Sequence, residues 1–309
     1  LNRKQTKPKA HSEALLVESR EYWWNDDYLD LLAGRLDLEH AMDLIDIGCG
    51  KGMMAFRLSK YLPDGARVWG IDQEEKYIKS ARRYASKKMG DRSVEFHFMS
   101  GDAYEVPLED DSVDISVCQT LLIHLESPLA AIREMKRITR PGGTVIAFEP
   151  NNLVGSLMFD HYRETDYTIE DVMELVEMRL RIEKGKKLLG EGFSSLGDVL
   201  PDLFLKAGLG NVKVWLSDKA MSIIPPYDTR EMRLRVTQLI TWIEDGDAIF
   251  NYDENLRYYL AGGGTKDDFD MYWQRLQLYR MYLLEQLKTE QFVTAGGSMM
   301  YIVVGHVEA

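Results

Sequence analysis

Cysteine is scarce in this chain, with two in 309 residues, at Cys49 and Cys118. Neither sits in a CxxC or Cys/His spacing, so no zinc ribbon, redox dithiol or disulfide framework is expected, and no metal. That usage fits a reducing compartment, and the expectation is a cytoplasmic protein. No apolar run reaches the roughly 18–20 residues of a spanning helix. The basic stretch Asn2-Arg3-Lys4-Gln5-Thr6-Lys7 is not followed by an apolar segment, so no secretory signal is expected. Positive charge is in deficit: 38 Lys and Arg stand against 50 Asp and Glu, a formal net charge of −12. Proteins that grip nucleic acid present a basic face, because phosphate neutralisation dominates their affinity. The cluster Arg3, Lys4, Lys7 and Lys9 reads instead as a solvated run, so nucleic acid is not an expected partner.

What the chain does have is glycine at alternate positions after an apolar run, Asp43-Leu44-Ile45-Asp46-Ile47-Gly48-Cys49-Gly50-Lys51-Gly52. This reads as a buried strand, a tight turn and a helix from Lys51 to about Tyr61. Glycine serves where φ must be positive or a backbone must approach closely. At the carboxyl end of a parallel strand, such a turn is where open α/β sheets bind ligands. The pattern then repeats. Strands are expected at 67–71, 94–99, 112–118 and 144–148, with helices at 74–89 (capped by Gly90) and from Pro128 to Ile138. Strands alternating with helices imply right-handed crossovers and a parallel doubly wound sheet.

Flanking segments look helical. Residues 12–38 carry the aromatics Tyr22, Trp23, Trp24 and Tyr28, either packed on the domain or covering a ligand. Thr168-Ile169-Glu170-Asp171 reads as a capping box, with Ile169, Val172, Met173, Val176 and Leu180 as the apolar face behind it. Further helices are expected at 196–207, around Val236 to Ile243 and around Tyr272 to Leu287. Strands are expected at 212–216 and 299–307, which brings the sheet to seven. The expected division is a tail and lid helix at 1–38, a core at 39–219 with a helical insert at about 153–190, a helical cap at 220–296, and the last strand at 297–309.

Three nucleotide-binding turns compete for the glycines. A phosphate-binding GxxxxGK[ST] loop is absent, and the third position of GxGxxG is Met53, which disfavours a dinucleotide. The stretch Asp46-Ile47-Gly48-Cys49-Gly50-Lys51-Gly52 resembles the first motif of the class I S-adenosylmethionine-dependent methyltransferases. Later strand ends are similar too: Asp72-Gln73, Gly101-Asp102-Ala103, the approach Glu109-Asp110-Asp111-Ser112-Val113-Asp114, and the turn Arg140-Pro141-Gly142-Gly143-Thr144. The resemblance covers about residues 40–150. It implies a Rossmann-like α/β fold with S-adenosyl-L-methionine as cofactor and S-adenosyl-L-homocysteine as product. It implies that Asp46, Gly48, Gly50, Gly52, Asp72, Gln73, Gly101, Asp102, Ala103 and Gln119 hold that cofactor. The chemistry agrees, since Asp72 can accept from a ribose diol and an ionised Asp102 from an exocyclic amine. Either acid taken alone reads better as a loop residue or a helix N-cap.

Methyl transfer from a sulfonium asks mainly for alignment and exclusion of water. His124 is a candidate base, since histidine titrates nearest neutral pH. Glu149 is a candidate pocket residue, and Tyr22, Trp23, Tyr28 and Asn151 are candidate lid or substrate contacts. The stretch Gln119-Thr120-Leu121-Leu122 departs from the Asn/Asp-Pro-Pro-Tyr/Phe element of amino-methylating DNA enzymes. The extra cysteines of arsenite methyltransferases are missing. The expectation is a small-molecule acceptor. An RNA or protein methyltransferase and a non-catalytic cofactor-binding module are the alternatives. The aromatic-rich helical insertion is also a candidate homodimer surface.

Overall fold

A computed structural model describes residues 18–88, 94–157, 168–246, 251–296 and 299–308. The start of the expected first helix, the basic cluster and the Gly90 cap lie outside them. Seven strands form one sheet: β1 (Asp43–Ile47), β2 (Arg67–Asp72), β3 (Glu95–Ser100), β4 (Val113–Gln119), β5 (Thr139–Asn151), β6 (Gly210–Leu216) and β7 (Met299–His306). Their order is β3-β2-β1-β4-β5-β7-β6, with β1 to β5 parallel and β7 antiparallel to both neighbours. This is the mostly parallel, Rossmann-like sheet. The described helices are α1 (Asp26–Arg35), α2 (Met53–Leu58), α3 (Glu75–Lys88), α4 (Pro128–Ile138), α5 (Ile169–Leu188), α6 (Leu200–Lys206), α7 (Arg230–Asp245), α8 (Tyr252–Ala261) and α9 (Lys266–Lys288).

The chain separates into two compact units. The sheet unit takes residues 24–151, 194–218 and 299–309. Its core is the buried run of β1, β4 and β5, where Leu44, Ile45, Ile47, Val117, Ile146 and Phe148 are buried, as are Ala131, Ile132 and Met135 of α4. Its amino-terminal edge is tied by charge. Arg140 contacts Asp43 and Asp114 at 2.9 Å each, and Asp114 Oδ2 accepts from the Met42 and Asp43 amides. The Arg-Pro-Gly-Gly turn therefore lies inside a β5 five residues longer at its start than expected. Its register shifts between Val113 and Ile115, and Gly142 sits at φ +80°.

The helical unit takes residues 1–23, 152–193 and 219–298. One cluster packs Val236 and Ile243 of α7 with Leu283 and Leu287 of α9. A second packs Met178 and Ile182 of α5 with Tyr258 and Tyr259 of α8 and Phe269 of α9. The Thr168–Asp171 capping box is present. The apolar face expected on α5 is not the buried one: Ile169, Met173 and Leu180 are exposed, while Met178, Ile182 and Gly185 are buried. A glycine and two larger apolar groups one helical face away fit the approach of α8 more closely than the wider stripe. Two other boundaries also move. The described part of the first helix breaks at Trp23-Trp24, and a new helix starts at Asp26, with the acids Asp26 and Asp27 in its first turn. The helix after the glycine turn starts at Met53, because Gly52 serves as its N-cap in the left-handed region.

Candidate active site

At the carboxyl end of β1, Gly48, Gly50 and Gly52 have φ of +68°, +54° and +81°. A side chain at any of them would be strained, which explains the alternate glycines. The turn is closed by the Gly52 amide on the Cys49 carbonyl (2.8 Å) and the Cys49 amide on the Ile71 carbonyl (2.9 Å). Asp46 is buried, and its Oδ2 accepts from the Ala55 amide at 3.2 Å, in the first turn of α2. An acid at a helix amino terminus is favourably placed, so Asp46 fixes the turn from below.

The neighbouring strand end supplies Asp72. Its Oδ2 accepts from the Gly50 amide (2.8 Å) and its Oδ1 from the Glu74 amide (2.9 Å), so both oxygens are oriented and retain acceptor capacity. Gln73 beside it is exposed. At the end of β3, the Gly101 amide bonds the Asp72 carbonyl, and exposed Asp102 turns its Oδ1 to the Tyr104 amide at 2.9 Å. A Cβ on Gly101 would lie 2.8 Å from Ile71, so glycine is required for this approach. Ala103 follows, half-buried. Because β3, β2 and β1 are adjacent and in register, these three loops share one edge of the sheet.

On the other side of β1, half-exposed Gln119 ends β4. Thr120 follows at φ +50°, a sparsely populated conformation for a β-branched residue. Its amide donates to the Phe148 carbonyl at 2.9 Å. The Leu121 side chain covers Gly48, where a Cβ would sit 2.6 Å from Leu121 Cδ1. His124 ends a 3-10 turn over Leu122–His124 and is half-buried. Glu149 departs from the expectation of a pocket-lining acid. It is fully buried, with Oε1 accepting from the Leu121 and Leu122 amides at 2.8 Å each. Asn151 Nδ2 donates to Asp198 at 3.0 Å.

The aromatic cluster is divided. Trp24 and Tyr28 belong to the sheet unit, where Trp24 meets Phe148 edge-on at 5.2 Å and Tyr28 donates to the Leu216 carbonyl at 2.6 Å. Tyr28 thus ties α1 to β6. Tyr22 and Trp23 belong to the helical unit, where the Tyr22 carbonyl accepts from Arg235 and Arg20 stacks on Trp23. Cys49 and Cys118 are buried and free, and burial first, then neighbouring carboxylates, push both thiols up, so they stay protonated. Among the described residues one trio, Asp37, Glu39 and His40, brings candidate metal-ligand atoms together. It is exposed and precedes β1, at the edge opposite the glycine turn.

Sequence reasoning missed Leu121 and Phe98. The Phe98 ring packs against Gly52 and Gly70, where added Cβ atoms would lie 3.0 and 2.4 Å from it. Gly70, isolated inside a strand, is the signal that could have found it.

Residues 45–147 match the family model described as "Methyltransferase domain". A 27-O-demethylrifamycin SV methyltransferase from Amycolatopsis mediterranei is 37% identical over 114 residues, 37% of this chain and 40% of the relative. A sterol 24-C-methyltransferase from Gibberella zeae is 27% identical over 172 residues, 54% of this chain and 41% of the relative. Matches to curated relatives of this kind span less than half of the relative's length. Over 99% of this chain and 100% of its own, the [4+2]-cyclase SpnF superposes with a TM-score of 0.51 at 16% identity, a likeness of fold alone.

Proposed function

We propose that this chain, whose residues 45–147 make it a member of the class I S-adenosylmethionine-dependent methyltransferase superfamily, transfers a methyl group from S-adenosyl-L-methionine to a small-molecule acceptor. The observation that carries the reading is the shared edge of β1, β2 and β3. There a left-handed glycine turn lies beside two oriented carboxylates. The residues fit the cofactor. Gly48 to Gly52 would take its amino-acid portion against bare backbone, Asp72 its ribose hydroxyls and Asp102 its adenine amine. When bound, S-adenosyl-L-methionine supplies an electrophilic methyl on a sulfonium. The remaining work falls to the chain. Gln119, Thr120 and Leu121 wall the site across from Asp72, and the acceptor is aligned and water excluded there. His124 would take a proton where the acceptor must lose one.

The small-molecule class is supported by relatives named for a rifamycin and a sterol, and by the net charge of −12. No described helix is long and apolar enough to cross a membrane. The free, buried cysteines fit a reducing compartment such as the cytoplasm. Isothermal titration with S-adenosyl-L-homocysteine tests the site. Asp72→Ala is expected to weaken binding roughly tenfold or more, since charge-assisted hydrogen bonds are lost. Unchanged affinity would remove Asp72 from it. Turnover of labelled cofactor with small-molecule fractions of a cell extract, and none with its RNA or protein, would support the acceptor class. The reverse pattern would refute it.

A further inference from the structure

Glu149 is fully buried near the carboxyl end of β5 and accepts from backbone amides beyond its own strand. Its Oε1 receives the Leu121 and Leu122 amides together, at 2.8 Å each. Those two amides open the 3-10 turn that carries His124, whose own amide bonds the Leu121 carbonyl at 2.9 Å. Just before them the backbone is held at an unfavourable angle, with Thr120 at φ +50°. Such strain persists only where surrounding contacts over-determine it. Here the contacts are the Thr120 amide on the Phe148 carbonyl and the Glu149 carboxylate one residue further along β5. Held this way, Leu121 lies directly on Gly48. The end of β5 thus reaches the glycine turn of β1 across the end of β4.

We infer that Glu149 is a positioning residue: its carboxylate holds the 120–122 turn so that Leu121 forms the wall over Gly48, and with it the start of the 3-10 turn that carries His124. The inference rests on the methyltransferase reading for its purpose, but its structural half is testable without a ligand. Glu149 does not touch the acceptor in this role. Its side chain acts through backbone amides, so an uncharged oxygen at the same distance can replace it, whereas a shorter side chain cannot.

The experiment compares Glu149→Gln, Glu149→Asp and Glu149→Ala in the full chain, by hydrogen exchange at the Leu121 and Leu122 amides and by affinity for S-adenosyl-L-homocysteine. Glu149→Gln should exchange and bind within about threefold of the parent, because both hydrogen bonds survive. Glu149→Asp and Glu149→Ala should exchange there about 100-fold faster and bind roughly tenfold or more weakly. Thr139→Val serves as the stability control. It removes buried hydrogen bonds to Ser116 and Met135 at the far end of β5, and should lower the melting temperature with both readouts unchanged. If Glu149→Ala does not fold, Glu149→Asp decides. Parent-like exchange in the folded aspartate or alanine variant overturns the inference, and so does fast exchange with parent-like affinity. A parent protein that does not bind S-adenosyl-L-homocysteine overturns the methyltransferase reading instead, and leaves the exchange result standing.

Discussion

Gly70 is a small residue with a large consequence. A Cβ there would come within 2.4 Å of Phe98 and 3.0 Å of Cys49 Sγ, under the glycine turn. Gly70→Ala is expected to lower stability by about 1–3 kcal/mol, the cost of overpacking a core, measured by denaturant unfolding. Gly48→Ala adds a left-handed φ to a clash with Leu121. It should weaken S-adenosyl-L-homocysteine binding more than it lowers the melting temperature, because Leu121 can move only by opening the site. At this scale the sequence was readable at the alternate glycines, whose positive φ disfavours any side chain. It was unreadable for Glu149 and Tyr28. An acid after a strand and an aromatic on a helix look the same whether they face a ligand or a backbone amide, and only the fold supplies the partner.

Helix contacts in the helical unit turn on two glycines. Gly185 of α5 would place a Cβ 1.7 Å from the Tyr258 carbonyl oxygen, and Gly262 after α8 would place one 2.0 Å from the Arg181 carbonyl oxygen. Each glycine lets the other helix's backbone approach. Gly185→Ala would gain roughly 1 kcal/mol of helix propensity in isolation. Here it is expected to lower the melting temperature instead, and Leu180→Glu on the exposed stripe to leave it nearly unchanged. The amphipathic stripe on α5 was legible as periodicity, but periodicity alone does not say which of two overlapping apolar faces a partner will choose. A mid-helix glycine was the better marker of the contact. The same interface has a pH signature. Glu191 accepts from Arg257 at 2.6 and 2.7 Å and from the Tyr258 hydroxyl at 2.6 Å, and the Arg257 hydrogen bond leads in holding its carboxyl below the usual 4.5. A carboxyl lowered by folding adds stability above its unfolded value, and that stability is lost as pH falls through the folded one. The difference in melting temperature between the parent and Glu191→Gln should therefore be constant above about pH 5.5 and shrink below pH 4.5.

For the whole molecule, the mostly parallel seven-stranded sheet followed from alternating strands and helices, as right-handed crossovers require. The sharing of helices between units did not follow, because residues 18–23, 168–193 and 219–246 are far apart in the chain and join only in space. β7 carries a consequence for how the chain is made. It lies between β5 and β6 and bonds both, so until residues 299–306 exist β5 is paired only with β4 and β6 has no partner strand. Removing residues 299–309 should leave β5 with a bare edge and β6 unpaired, and send the protein to the insoluble fraction, read by comparing soluble and pelleted protein on expression. On the ribosome the intact chain passes through the same condition. Roughly 150 residues separate the end of β5 from β7, a wait on the order of ten seconds at ordinary translation rates. Throughout that wait the nascent chain exposes a paired-on-one-side apolar strand, the kind of surface that chaperones bind.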